Sequence, residues 1–270
     1  MLLGNKYIFI EKIGEGNFGT VYKGLNKRTN ELVAIKVESK NNILKCLKNE
    51  AKIYQYLRNE VGFLQMKWFE IDQTNSYIVT DLLGMNLTSY KKNVLFSHSN
   101  LIKNSGLLGI QMVQRIKSLH DKELIHRDIK PDNFLFGINE KSEILYLIDL
   151  GFCKRYILDN NKHMSNKNTQ NLIGSPTFVS LNVHRLCQPS RRDDIESVLY
   201  VLLFLINKLK WDYLLVKDKY NIDKIVQLKE IIIYDKDIPT NIRELLYYCR
   251  KLEFDECPNY KYIIDKINNL

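Results

Sequence analysis

The chain has 270 residues, 45% of them hydrophobic and 26% charged, with 40 Lys and Arg against 31 Asp and Glu for a formal net charge of +9. This is the composition of a globular domain long enough to bury its own core, which excludes disorder as the main state. The cysteines (Cys46, Cys153, Cys187, Cys249 and Cys257) are odd in number and never closely paired, which excludes a disulfide framework or zinc knuckle and points to a reducing compartment.

Short β-branched and aromatic segments bounded by glycine or polar turns predict strands over residues 7–13, 20–25, 31–38 and 76–81. Between the third and fourth, Leu47, Ala51, Tyr54 and Leu57 recur at helical spacing and predict one helix over 44–58. After Gly84 the period becomes helical: Leu108, Met112, Ile116 and Leu119 form one stripe, 195–205 is apolar on nearly every face, and 242–252 and 260–267 follow. The apolar run 198–206 is far shorter than the roughly 20 residues that cross a bilayer. A β-rich front half therefore precedes a larger helical one.

Four motifs carry chemistry. In Gly14-Glu15-Gly16-Asn17-Phe18-Gly19-Thr20-Val21, glycines permit positive φ and let backbone N–H groups approach an anion. The segment reads equally as a phosphate cradle or a plain glycine-rich hairpin, and the strand that follows disfavours a dinucleotide-binding turn. In Val33-Ala34-Ile35-Lys36 the lysine is costly to bury unless paired, and Glu50 on the predicted helix is its candidate partner. Taken singly, they also read as a surface lysine and a solvated glutamate. In His126-Arg127-Asp128-Ile129-Lys130-Pro131-Asp132-Asn133, Asp128 can accept a hydroxyl proton, Lys130 can neutralise a phosphoryl group and Asn133 can offer oxygen to Mg²⁺. His126 is assigned a packing role. Asp149-Leu150-Gly151 ends an apolar strand with a carboxylate suited to a hard cation.

Together and in this order, these motifs resemble the eukaryotic protein kinases. Within them, Asp81-Leu82-Leu83-Gly84, Ser180-Leu181-Asn182, Ser190-Arg191-Arg192-Asp193-Asp194-Ile195-Glu196-Ser197 and the segment 248–255 resemble the casein kinase 1 family. The resemblance implies an α+β, two-lobed kinase fold over 1–270. Residues 1–80 would form a small lobe with a five-stranded antiparallel sheet and one helix, 81–84 a hinge, and 85–270 a larger helical lobe. It implies a serine/threonine kinase using ATP with Mg²⁺, or Mn²⁺ in its place. Residues 14–19, with Gly14, Gly16 and Gly19, would cover the phosphates; Val21 and Ala34 would sandwich adenine, and backbone groups of Asp81 and Leu83 would bind its edge. Lys36, oriented by Glu50, would hold the α and β phosphates. Asp128 would be the base, Lys130 would meet the γ-phosphate, Asn133 and Asp149 would bind metal, and Asp194 would anchor the catalytic loop.

Leu150 stands where the family usually has Phe, and Thr177 where casein kinase 1 members commonly carry an Arg that binds acidic or phosphorylated substrates, with Lys217 and Lys219 as possible substitutes. Thr80 is a small residue at the position guarding the back of the ATP pocket. With no extended tail after the last helix, and with Ser165, Thr169 and Ser175 in the segment after Asp149, the expectation is a constitutively active monomer. Its substrates would be acidic proteins, with no nucleic acid or membrane required. The ends show no export or lipid signal, which predicts a cytoplasmic or nuclear enzyme that is not secreted. The alternative is a pseudokinase acting as a binding scaffold, against which stands the presence of Lys36, Asp128 and Asp149.

Overall fold

The computed structural model describes residues 2–16, 19–42, 45–94, 101–215 and 221–270. The chain forms two compact units: the segment ending at Met85 together with Leu135–Cys153, and Asn86–Phe134 together with Lys154–Leu270. Residues 135–153, downstream of the expected hinge, thus group with the first unit.

The first unit is built on an antiparallel sheet. Its strands are β1 (Leu2–Leu3), β2 (Tyr7–Gly16), β3 (Gly19–Asn26), β4 (Glu31–Ser39), β5 (Met66–Ile71) and β6 (Asn75–Asp81), in the order β1-β2-β3-β4-β6-β5. Six strands stand where the resemblance implied five, because β1 adds a two-residue edge through the pairs Leu2↔Ile8 and Leu3↔Tyr7. Sequence patterning also missed β5, whose Met66-Lys67-Trp68-Phe69-Glu70-Ile71 does not alternate and carries a register shift against β6.

Alternation along β4 decides the chemistry of the sheet's two faces. Val33 and Ile35 are fully buried with Leu3, Tyr7, Tyr77 and Val79 on one face, each large side chain contributing about 1.5–3 kcal/mol of apolar burial. Ala34 and Lys36 project to the other face, where Val21 lies opposite Lys36 and Thr80 opposite Ala34. The helix α1 (Leu47–Tyr56) packs on this second face through Leu47 and Ala51 against Ile78. Its first amides have no partner inside the helix, so the buried Glu38 carboxylate accepts from Cys46 N at 2.8 Å and Leu47 N at 3.2 Å. The unit is completed by β9 (Leu145–Leu147) and the single turn 150–152. Gly84 N donates to Phe136 O, and Phe136 N to Met85 O, joining its two segments.

The second unit is helical: α2 (Leu87–Asn93), α3 (Leu101–Asp121), α4 (Leu181–His184), α5 (Arg191–Leu205), α6 (Ile222–Ile231), α7 (Thr240–Lys251) and α8 (Tyr260–Asn268). A small ribbon pairs β7 (Leu124–Ile125) with β10 (Lys154–Arg155). The short strand β8 (Phe134–Phe136) lies at the boundary, and its residues 135–136, which group with the first unit, belong to the two-stranded sheet with β9 there. Ser190 and Asp193 form a capping box that starts α5. Beyond that cap α5 is buried on nearly all sides, as its unbroken apolar run predicts, and α3 and α7 pack against it. Short α2 and α4 and the mixed Ile222–Ile231 segment escaped the periodicity reading, having too few turns or too weak a stripe. No helix among the described residues is long and apolar enough to cross a membrane.

Candidate active site

In the first unit the sheet's second face gathers charge. Lys36 Nζ donates to Glu50 Oε2 at 2.7 Å and to Asp149 Oδ1 at 2.8 Å, bringing together residues 113 positions apart. Tyr54, one helical turn after Glu50, donates its hydroxyl to Glu50 Oε1 at 3.1 Å, so both glutamate oxygens are engaged. Burial opposes the lysine charge, but Glu50 and Asp149 outweigh it and raise the Lys36 pKa above its ordinary value. Burial also raises the Glu50 carboxyl, against the pull of Lys36. The ammonium is therefore firmly charged.

Asp149 sits in left-handed backbone, φ +62°, an uncommon conformation for a residue other than glycine and one found at functional sites. The turn after it is held by fully buried Leu150 and by Asn49, whose Nδ2 donates to Gly151 O at 3.0 Å and Cys153 O at 3.3 Å. Leu150 is therefore a core residue of this turn. Neither Asn49 nor Tyr54 was singled out from sequence. Tyr54 could have been, since an i, i+4 spacing puts it on the face of Glu50.

At the glycine-rich hairpin Gly19, at φ +121°, uses the positive φ that a glycine permits, and a Cβ there would collide with Val37 O. Gly14 and Gly16 adopt ordinary strand backbone, because β2 continues to Gly16. Among the described residues nothing lies within 4 Å of a Cβ position at Gly16, so their packing does not demand a glycine there. That open approach to backbone is what a phosphate needs. Asn17 and Phe18 lie outside the described residues. Asp81 ends β6, its carboxylate accepting from Gln65 N at 3.2 Å and pairing with Lys67 at 2.9 Å. Leu83 follows in irregular chain, and Thr80 is buried.

In the second unit the loop after β7 is hung on one carboxylate. Asp194, in the first turn of α5, accepts His126 N at 2.7 Å and Arg127 N at 3.0 Å, and its Oδ2 lies 3.0 Å from His120 Nε2. Burial works against this carboxylate's charge, yet the bond from His120 and the backbone amides hold its pKa below the ordinary value. Arg127 takes φ +73°, and Gly174, at φ +100°, packs so closely that a Cβ would lie 2.5 Å from Arg127 O. His126 is fully buried, its Nδ1 accepting from Asp128 N at 3.2 Å, which is the packing role read for it.

The Asp128 side chain is engaged at both oxygens: Ser175 Oγ donates to Oδ1 at 2.8 Å and Lys130 Nζ to Oδ2 at 2.7 Å. Asn133 Nδ2 donates to Asp128 O at 2.8 Å, which leaves the carboxamide oxygen as the end that can meet a cation. Ser175, named from sequence only as a hydroxyl after Asp149, is thus a partner of the loop carboxylate. No local pattern reveals a contact across 47 residues. Thr177 is buried, its carbonyl accepting from Trp211 Nε1 at 2.9 Å. Lys217 and Lys219 lie outside the described residues.

Asp149 and Asn133 offer hard oxygen donors of the kind Mg²⁺ takes while keeping several waters. Among the described residues no group of three or more His, Cys, Asp or Glu side chains forms an all-protein metal cage. In the first unit, the Asp149 carboxylate and the glycine backbone have the chemistry to meet a divalent cation and a nucleotide phosphate; in the second, the Asn133 carboxamide oxygen has the chemistry to meet a cation. A family model described as protein kinase domain matches residues 7–257, a span that takes in every candidate residue in both units. The chain belongs to the protein kinase domain family, whose phosphotransferase chemistry draws on ATP and a divalent cation and acts on protein substrates.

Proposed function

We propose that the protein is an active serine/threonine kinase of the casein kinase 1 type, transferring the γ-phosphoryl group of ATP to Ser or Thr hydroxyls of acidic proteins. The observation that carries this reading is Asp128, with a hydroxyl 2.8 Å from one carboxylate oxygen and an ammonium 2.7 Å from the other. Ser175 shows that an aliphatic hydroxyl can reach this carboxylate at the distance proton transfer needs. Such a hydroxyl is far less acidic than the tyrosine phenol, with its pKa of about 10, and depends more on a base.

In the first unit, Lys36 steadied by Glu50 binds the α and β phosphates, and the backbone of 14–19 covers them. Val21 and Ala34 enclose adenine, and the Asp81 and Leu83 backbone meets its polar edge. Asp149 supplies a carboxylate to Mg²⁺ or Mn²⁺. In the second unit, Asn133 supplies a carboxamide oxygen to the cation, Lys130 neutralises the γ-phosphate, and Asp128 orients the acceptor and takes its proton. The cation, when bound, neutralises developing phosphate charge.

Three observations support the finer parts of the reading. Ser180 of Ser180-Leu181-Asn182 accepts from Val183 N at 3.1 Å, so the casein kinase 1-like triplet begins α4. Burial lowers the Lys154 pKa, as do the nearby charges of Arg127 and Lys167, a crowding of cations that favours acidic substrates. The Lys36–Glu50 pair is closed in the unmodified chain, which favours activity without prior phosphorylation. The test is transfer of labelled γ-phosphate from MgATP to casein, followed by identification of the labelled residue. Phosphoserine or phosphothreonine is expected; label on tyrosine alone contradicts the specificity, and no label at all favours the pseudokinase scaffold.

A further inference from the structure

Lys229, near the end of α6, is fully buried, an unusual place for a lysine. Its ammonium donates to Val179 O at 2.6 Å and Pro176 O at 3.1 Å and lies 3.0 Å from His184 Nε2. His184 Nε2 itself lies 3.1 Å from Pro176 O, so amine, imidazole and that carbonyl meet at one point. Burial, and then the nearby Lys229, pushes the His184 pKa down to about 3, which keeps that imidazole neutral, and burial likewise pushes the Lys229 pKa well below its ordinary value. Two aromatic faces complete the cage, Tyr200 at 4.6 Å and Trp211 at 5.3 Å from the amine. The same Trp211 donates to Thr177 O, so the carbonyls of 176, 177 and 179 are all held from one side.

The segment so held is the one that delivers Ser175 to Asp128. Ser175 O accepts from Phe178 N at 2.8 Å and Val179 N at 3.0 Å, forming one tight turn with the residues Lys229 grips. A second set of bonds keeps Lys229 in place. Arg250 donates to Lys229 O at 2.7 Å and to Glu196 Oε1 at 3.2 Å, and Glu196 also accepts from Leu181 N at 3.4 Å. Burying a lysine merely to fill space would be expensive, and an apolar side chain would fill it better. Its donors are used instead on the backbone carbonyls of Pro176 and Val179.

We infer that Lys229 is a positioning residue for phosphoryl transfer, fixing the turn 175–179 so that Ser175, and with it the substrate hydroxyl, is aligned on Asp128. This rests on the kinase reading above.

The experiment is a double-mutant cycle of Lys229→Met and Ser175→Ala, measuring kcat and KM for casein and, separately, nucleotide affinity. Lys229→Met is expected to lower kcat/KM about tenfold, leave nucleotide affinity within twofold, and cost less than about threefold when Ser175→Ala is already present. Unchanged kcat/KM, an equal loss in both backgrounds, or a matching loss of nucleotide affinity would overturn the inference while wild-type turnover upholds the kinase reading. An inactive wild type would overturn the reading itself and this role with it. Should Lys229→Met not fold, Lys229→Gln, which keeps two N–H donors on a shorter side chain, is expected to give a smaller loss of the same pattern. Hydrogen exchange on the wild type is expected to show protected Phe178 and Val179 amides; rapid exchange there would contradict the clamp.

Discussion

In the first unit a cation from β4 and carboxylates from α1 and the turn after β9 are held together by opposite charge. In the second unit the loop that carries Asp128 is positioned through its backbone: it hangs from Asp194 by two amides and is closed by the side-chain amide of Asn133, while Ser175 and Lys130 engage the Asp128 carboxylate itself. The contrast suits the two tasks. A group that grips a highly charged ligand must itself be charged and kept so by neighbours, whereas a base must be placed to within a fraction of an ångström and remain able to accept a proton. Losing a member of the first set leaves buried charge uncompensated; losing the anchor of the second strands the backbone amides that hang from it and leaves the loop slack.

Lys36→Met breaks the first arrangement most directly. Turnover is expected to fall about 10²–10³-fold with weakened nucleotide binding, since both Glu50 and Asp149 lose their cation. Unchanged nucleotide affinity by calorimetry would count against the phosphate role. Asp194→Ala attacks the second arrangement. It strands two backbone amides and removes the carboxylate partner of His120, and should cost about 3–5 kcal/mol in denaturant unfolding. A cost under about 1 kcal/mol would show that the loop is anchored elsewhere.

The neighbouring carboxyl sharpens the comparison through pH. Burial, against bonds from Ser180 and Ser190, pushes Asp193 up to about 6. Its folded pKa thus exceeds the unfolded value of about 3.9, so its contribution to stability is full below about pH 4 and is lost as pH rises through about 6. The melting temperature of wild type relative to Asp193→Asn should therefore fall across that window; a constant difference would contradict the buried-carboxyl account. The smallest effect belongs to Thr80, buried opposite Ala34 on the same sheet face as Lys36. Thr80→Met should weaken, about tenfold, inhibitors with a bulky group behind adenine while leaving ATP turnover within a few-fold, and equal inhibitor affinity would remove Thr80 from the pocket wall.

Much of both units could be read from sequence, for local reasons. The alternation of Val33, Ile35 and Val37, the glycine-rich hairpin and the apolar length of α5 each report structure within one element. Lys36, Glu50 and Asp149 are legible only as a set, since their meeting spans 113 residues and no single motif implies it. What escaped was non-local or weakly patterned: β5 without alternation, α6 with a mixed stripe, Ser175 bonded to a residue 47 positions away, and Lys229 buried by tertiary packing alone. At Gly14 and Gly16 the positive φ that a glycine permits is not used, and the backbone keeps ordinary strand conformation.

The account turns on Asp128 as the base. Steady-state transfer from MgATP to casein, measured for wild type and Asp128→Asn alongside nucleotide affinity, tests it most directly. The account predicts that Asp128→Asn lowers kcat by about 10²–10⁴ while nucleotide affinity stays within a few-fold. Equal turnover by the two proteins would contradict it.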